Sequence, residues 1–164
     1  MQTYDDDRFI VPKETRETEF YTRVIKTPYV VSKDITAPLS KAPCKCIAIE
    51  IEDLDKLEKF RQDMLPWAKE HHISLLYSSR YYLEVFPEKS GKGTSALILK
   101  NYLGNEKLIT VGAGDEQNDI SLLQACDVAI AMENAVDSVK NVATTISEDI
   151  SDRDGLAKTL IDLI

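Results

Sequence analysis

The sequence predicts an α/β protein, in which a mixed α+β segment precedes a parallel α/β sheet. Three observations point there. Beyond residue 107, short apolar runs without polar alternation, "LITVGAG" and "VAIAM", take turns with helical patterns, as buried parallel strands do. Before Pro87 the patterning is different, with an alternating strand, an amphipathic helix and two strands in hairpin order. Between the two styles lies "FPEKSGKG", a natural place for a boundary, and the chain divides on this reading into 1–86 and 87–164.

Taken in order, "ETRETEFYTRVI" places Phe20, Val24 and Ile25 on one helical face. Pro28, Pro38 and Pro43 then mark loop and short extended pieces. "KCIAIEI", Lys45 to Ile51, alternates as a strand with one buried face. In "DLDKLEKFRQDMLPWAKEHH", Leu54, Leu57, Phe60, Met64, Leu65 and Ala68 recur at helical spacing. Asp53 is its cap, and Pro66 is expected to kink it or start a second turn. "ISLLYSS" and "YYLEVFP" form strands around a tight turn near Ser79-Arg80. "GTSALILKNYLG" is a helix closed by Gly104. The strand "KLITVGAG" follows, then the helix "NDISLLQACD", the strand "VAIAM", the helix "AVDSVKNVA", the strand "TTIS" and the terminal helix "DGLAKTLIDLI".

The bulk composition narrows the function classes. With 164 residues, 43% hydrophobic and 29% charged, the chain holds enough apolar material for a core. Its 28 acidic residues outnumber 20 basic ones, for a net charge of −8, which argues against nucleic-acid binding and leaves room for a divalent cation. No apolar run approaches the ~20 residues of a bilayer span. The first residues are polar and acidic, unlike a signal peptide, so a cytoplasmic setting is expected. Cys44, Cys46 and Cys126 form no disulfide framework and read as small buried hydrophobes.

Chemistry concentrates at the expected carboxyl ends of the strands, where open α/β sheets bind ligands. In "LITVGAGDEQNDISLL", Asp115 follows the apolar strand and Asp119 lies in the first turn of the next helix. Two carboxylates so placed can share one hard cation, and magnesium prefers one or two carboxylates together with waters and phosphate oxygens. Asn118 adds a neutral polar group, while Gly112 and Gly114 are read as letting the backbone turn and approach a ligand. The competing interpretation is helix capping by Asp115, with Asp119 answering the helix dipole. Lys92, in "SGKG" just before a helix, can direct an ammonium group at a phosphate, or can be an ordinary solvated lysine. The first glycine of a Walker loop is missing there, since Phe86 stands in its place. Asn134, in "AMENAVDSVK", lies on the same rim of the sheet or caps the following helix. The "GAGDEQN" run lacks the third glycine of a dinucleotide fingerprint. His71-His72 should end a helix, and Trp67 and Tyr81-Tyr82 should be core or interface residues.

Three of these motifs, in this order, resemble a known family. The run from about Glu84 to Ile164 is similar to the C-terminal half of a haloacid-dehalogenase-superfamily (HAD) phosphatase, of the Cof-like sugar-phosphatase branch, subfamily IIB. The matching motifs are Gly91-Lys92-Gly93, an intact Gly-Asp-x-x-Asn-Asp at Gly114 to Asp119, and Met132-Glu133-Asn134-Ala135 with glutamate in place of glycine. Val139-Lys140 and Asp154-Gly155-Leu156-Ala157 also match. Residues 10 to 86 are similar in pattern to part of the family's inserted cap. The resemblance implies the C-terminal half of a HAD-like, Rossmannoid core behind a cap-like segment, with magnesium held by Asp115 and Asp119. Lys92 would be the catalytic lysine, Asn118 and Asn134 would bind phosphate or substrate, and the substrate would be a small phosphorylated metabolite such as a sugar phosphate.

The family's nucleophile, the first aspartate of Asp-x-Asp-x-Thr, has no counterpart. In "YDDDRF" the residue two after Asp7 is Phe9, and Asp5 to Asp7 read as an acidic surface tail. The expectation is therefore a truncated hydrolase, inactive alone. The alternative is a non-catalytic metal- or phosphate-binding remnant or assembly partner. The strand ending at Val111 would also lack its neighbour, which predicts self-association or a partner chain along that edge.

Overall fold

A computed structural model describes residues 1–104 and 107–163 and divides them into two compact units, Met1–Glu88 and Lys89–Ile164. Asn105, Glu106 and Ile164 lie outside the described residues, so the expected helix ending at Ile164 is followed only to Leu163.

The first unit is built on a six-stranded sheet of order β3-β2-β1-β4-β6-β5. The strands are β1 (Gln2–Asp5), β2 (Arg8–Val11), β3 (Tyr29–Val31), β4 (Cys46–Ile49), β5 (Ile73–Ser79) and β6 (Tyr82–Pro87). Only the β2/β3 pair is parallel. Helix α1 (Arg16–Ile25) joins that pair, and α2 (Leu54–Glu70) joins β4 to β5. Successive residues of β4 divide the core. Ile47 packs with Phe9, Val11 and Tyr21 of α1, while Ala48 packs with Leu57, Ala68, Leu75 and Leu83 beneath α2. Neighbouring strand residues point to opposite faces, so β4 is covered on both, not on the single face its alternation suggested.

The largest departure from the sequence reading is the amino-terminal hairpin. Asp5 to Asp7 are not a surface tail. Asp5 ends β1 and is 5% exposed, Asp6 turns the chain with φ 51°, and β2 returns. Aspartate tolerates this left-handed turn, and the polar strand is buried because its polar groups are satisfied. Asp5 accepts hydrogen bonds from the Ser40 backbone N–H at 3.1 Å and hydroxyl at 2.6 Å and from Arg8, and Thr3 donates to the Lys45 carbonyl. The Ser40 hydroxyl above all holds the Asp5 carboxyl below its ordinary value.

Smaller corrections follow the same logic. In α1 the buried stripe runs through Thr18 and Tyr21, leaving Val24 56% exposed. Asp53 caps α2 by accepting from Lys56 N–H at 3.1 Å, yet the helix runs unbroken through Pro66. His71 closes α2, its ring stacked on Trp67, and Trp67 is exposed, so of the two expectations, core or interface, the first fails. Cys44 is exposed, and Cys46 and Cys126 are half-buried, so the reading of all three as buried hydrophobes fails for Cys44.

The second unit carries a parallel three-stranded sheet, β7-β8-β9 (Val111–Gly114, Val128–Ala131, Thr145–Ile146). It also holds helices α3 (Lys92–Leu103), α4 (Ile120–Ala125), α5 (Asp137–Lys140) and α6 (Gly155–Leu163), of which α4 packs on β7 and β8 and α3 on α4, and Gly104 caps α3 with φ 61°. Its core is Leu123, Ala129, Ala131, Met132, Ala135 and Val139. The strand expected from Lys107 begins only at Val111, and Ile109 is 74% exposed. Both-face burial therefore holds in β8 but not at the start of β7. Among the described residues no helix is long and apolar enough to cross a membrane.

Candidate active site

The site lies at the carboxyl end of β7. Gly114 ends the strand, Asp115 and Glu116 follow, a 3-10 turn covers Gln117–Asp119, and α4 starts at Ile120. Asp119 folds back over the strand. Its side chain is nearly buried, and Oδ2 accepts hydrogen bonds from the N–H groups of Asp115 at 3.0 Å and Glu116 at 3.2 Å. Its other oxygen, Oδ1, is paired with the ammonium of Lys92.

Two glycines make this arrangement possible. A Cβ on Gly114 would stand 2.3 Å from Asp119 Cβ, so any larger residue would push the carboxylate off the turn. A Cβ on Gly93 would stand 2.2 Å from the Ser121 carbonyl oxygen, and Gly93 N–H donates to Ser121 Oγ at 3.2 Å. The start of α3 is thus seated on the first turn of α4, which brings Lys92 to Asp119. Gly114 and Gly112 have no left-handed φ. They make room for Asp119 and for Cys126, respectively, and do not turn the chain as the sequence reading held.

The neighbouring loop is tied to the same point. Met132 N–H donates to the Gly114 carbonyl at 2.9 Å and Val136 N–H to the Asp115 carbonyl at 3.0 Å. Asn134 sits between them, exposed, and Val136 occupies the N-cap position of α5 without a side-chain cap, so Asn134 does not serve as its cap. Glu133, where the motif has glycine, is exposed, and its N–H donates to Ser147 Oγ at 2.9 Å. Asp115 and Asn118 are half-buried and make no side-chain hydrogen bond among the described residues. Asp115 therefore does not cap α4. Lys92 and Asp119 are in direct contact, Asp115 is joined to Asp119 through its backbone, and Asn118 shares the turn. Asn134 is linked only through the backbone of its loop.

The electrostatics favour a cation. Glu116 has its carboxyl raised above the ordinary value, by burial first and then by the charges of Asp115 and Asp119. Lys92 offsets one of these charges. No three or more His, Cys, Asp or Glu side chains cluster as a metal set among the described residues. The donor set suits magnesium held through one carboxylate and waters, with Asp115 the carboxylate not already engaged.

Sequence reading did not single out Ser121 and Ser147, which brace the site through backbone N–H groups. Nothing in their sequence neighbourhood distinguishes them from surface serines. It also missed Asp127, which binds Thr110 N–H at 2.9 Å and Lys100 at 2.8 Å just below the strand.

Comparison with known proteins supplies the family. Residues 1–160 match the haloacid dehalogenase-like hydrolases. The chain belongs to that family. This HAD-like chain is 31% identical, over 114 residues, to the 5-amino-6-(5-phospho-D-ribitylamino)uracil phosphatase YwtE of Bacillus subtilis, a match covering 68% of this chain and 38% of that protein. A haloacid dehalogenase-like hydrolase structure from B. subtilis superposes with TM-score 0.79 at 18% identity, covering 99% of this chain and 65% of that one. The HAD subclass IIB sugar phosphatase BT4131 gives TM-score 0.79 at 17% identity, covering 99% and 59%. These superpositions establish a shared fold. The HAD-like chain spans 38%, 65% and 59% of these three proteins, less than two thirds of each.

Proposed function

We propose that this chain carries the lysine- and metal-bearing half of a magnesium-dependent phosphomonoester hydrolase site that acts on a small phosphorylated metabolite, a sugar phosphate being the best-matched class. The supporting observation is the nearly buried Asp119 carboxylate, which holds Lys92 on one side and the Asp115–Glu116 backbone on the other at the end of a parallel strand. Names borne by relatives, a phosphoribityl compound in one and sugar phosphates in another, agree with that substrate class. Residues 1–86 act on this reading as the cap-like part and residues 87–164 as the core part. A cytoplasmic setting belongs to the same proposal.

Asp115 would hold the metal, and Asp119 would keep Lys92 and the loop in position. Bound magnesium would supply positive charge to the phosphoryl oxygens. Lys92, half-exposed at the first turn of α3, directs its ammonium toward the same rim and stabilises charge on a transferring phosphoryl group. Asn118 and Asn134 would hydrogen-bond phosphate or substrate oxygens. An aspartyl-phosphate route also needs a carboxylate nucleophile. The Asp5 carboxylate is engaged by Ser40 and Arg8 in the first unit, and "YDDDRF" has no threonine two residues after Asp7. For these 164 residues by themselves, that observation favours a second reading, a non-catalytic metal- or phosphate-binding remnant or assembly partner. The two readings are separated by incubating the chain with p-nitrophenyl phosphate and magnesium, alongside a phosphate-binding titration. Binding without turnover is expected. Turnover abolished in Asp115→Ala would show that the nucleophile is present after all, and absence of both binding and turnover would remove the phosphoryl-transfer reading.

A further inference from the structure

We propose that Ser147 is a positioning residue of the candidate site: its hydroxyl sets the turn at residues 132–135 so that Asn134 alone in that turn offers uncommitted donors to a phosphoryl oxygen. The inference rests on the reading of Asn134 as a phosphate- or substrate-binding residue, and it states what gives that residue its place.

The turn is tied from both sides. Ala135 N–H donates to the Met132 carbonyl at 2.9 Å, which makes Glu133 and Asn134 the central residues of a tight turn. Its two ends are held against the end of β7, where Met132 N–H meets the Gly114 carbonyl and Val136 N–H the Asp115 carbonyl. From the other side, Ser147 Oγ accepts the Glu133 N–H at 2.9 Å. Neither central residue has a left-handed φ, so glutamate is accommodated where the motif has glycine.

The remaining donors then belong to one residue. From residue 132 to 136, every N–H but that of Asn134 has a partner within the fold. Among the described residues neither the Asn134 N–H nor its side-chain amide makes a hydrogen bond, and the residue is exposed. A backbone N–H and a carboxamide on one residue, beside the Asp115 loop, form a donor pair suited to an anionic oxygen.

Ser147 has this effect because it is itself aimed from behind. It is 3% exposed, follows β9 directly, and donates its N–H to the Ala131 carbonyl at 2.8 Å. A hydroxyl has one hydrogen to give, and here it goes to the Asp149 carbonyl at 2.7 Å, which leaves the lone pairs for Glu133. The Asp149 carbonyl is in turn seated against the start of α6, where a Cβ on Gly155 would stand 1.8 Å from its oxygen. The Asp149 carboxylate accepts from Ile150 N–H at 2.9 Å and pairs with Lys158 at 3.4 Å. With alanine at position 147, the Glu133 N–H and the Asp149 carbonyl would both lose a partner, and the turn would be released to reorient.

The test titrates the full 164-residue chain with inorganic phosphate in the presence of magnesium, beside Ser147→Ala, Ser147→Thr and Asn134→Ala. Ser147→Ala should weaken phosphate binding about tenfold, the worth of one hydrogen bond to a charged group. Ser147→Thr, which keeps the hydroxyl, should bind as the wild type does. Ser147→Ala combined with Asn134→Ala should cost less than the product of the two single effects, because both act on one donor. A serine that only filled space would show no such coupling. Amide exchange at Glu133 should be slow in the wild type and in Ser147→Thr and fast in Ser147→Ala, and exchange at Asn134 should slow when phosphate is added to the wild type. The exchange data on the wild type and Ser147→Thr decide the matter even where Ser147→Ala unfolds. A wild type that binds no phosphate would remove the underlying phosphate reading and this inference with it. Ser147→Ala that binds as tightly as the wild type, single effects that multiply, or Asn134 exchange unmoved by phosphate would overturn this inference alone.

Discussion

The two units of this chain solve the same burial problem to different degrees. In the first, β4 is covered on both faces, with Ile47 under α1 and Ala48 under α2, and Leu83 beside it is fully buried. In the second, β7 is an edge strand of the three-stranded sheet among the described residues, and α3 exposes five large apolar residues, Leu97, Ile98, Leu99, Tyr102 and Leu103. The polar groups reverse the contrast. At the candidate site the second unit spends nearly every hydrogen-bonding atom of Asp119, together with two close glycine contacts, on fixing one lysine and one turn. The difference teaches that the candidate site is held by local backbone ties in the unit whose apolar surface is less covered, while the first unit owes its order to a closed core.

The largest expected effect separates the two directly. Leu83→Ala should destabilise the first unit by ~2–5 kcal/mol, the usual range for truncating a buried leucine. Ile98→Ala should change the stability of the second by less than ~0.5 kcal/mol, as for an exposed position. Urea unfolding of the full chain measures both, and comparable losses would break the contrast. Next in size, Gly114→Val should cost ~1–3 kcal/mol through overpacking against Asp119, and the same variant should lose phosphate affinity as Lys92 is released. Asp119→Ala should cost ~1–3 kcal/mol, because the N–H groups of Asp115 and Glu116 lose their acceptor. Asp119→Asn, which keeps an acceptor, should cost less.

The smallest effect is electrostatic. Lys100 first, then the Thr110 groups, hold the Asp127 carboxyl well below the usual carboxylate range. A depressed folded value stabilises the protein above the unfolded value of about 3.9 and is lost as pH falls below it. The stability gap between wild type and Asp127→Asn should be full at neutral pH and shrink under acid conditions. A gap that widens with acid would show that the clamp acts through something other than its charge.

How much was legible in the sequence follows from the same contrast. The helices α2, α3 and α6, the β5/β6 hairpin and the parallel second unit were readable because apolar spacing and caps such as Asp53 and Gly104 agree with the fold. The β1/β2 hairpin was not, because Gln2, Thr3 and Asp5 look like solvent-facing residues. They are buried only by virtue of partners such as Lys45 and Ser40, some 35 to 42 residues away, which no local pattern reveals. At the site, Asp115, Asn118 and Asp119 could be found by their spacing. Their division of labour could not. Asp119's engagement with Lys92 depends on a helix 27 residues earlier, seated by the contact of Gly93 with Ser121. The glycines of the motif were legible as special but for the wrong reason, since they admit neighbouring atoms and do not turn the chain.

The central claim is that Asp115 anchors a cation in a loop whose other carboxylate, Asp119, is already committed. Calorimetric titration of the full chain with magnesium, beside Asp115→Asn, tests it most directly, because the Asp115 side chain makes no hydrogen bond among the described residues whose loss would disturb the fold. The account predicts saturable one-site binding in the wild type that disappears in Asp115→Asn at unchanged Tm. Wild-type chain that binds no magnesium, or an Asp115→Asn chain that binds it equally well, would contradict the account.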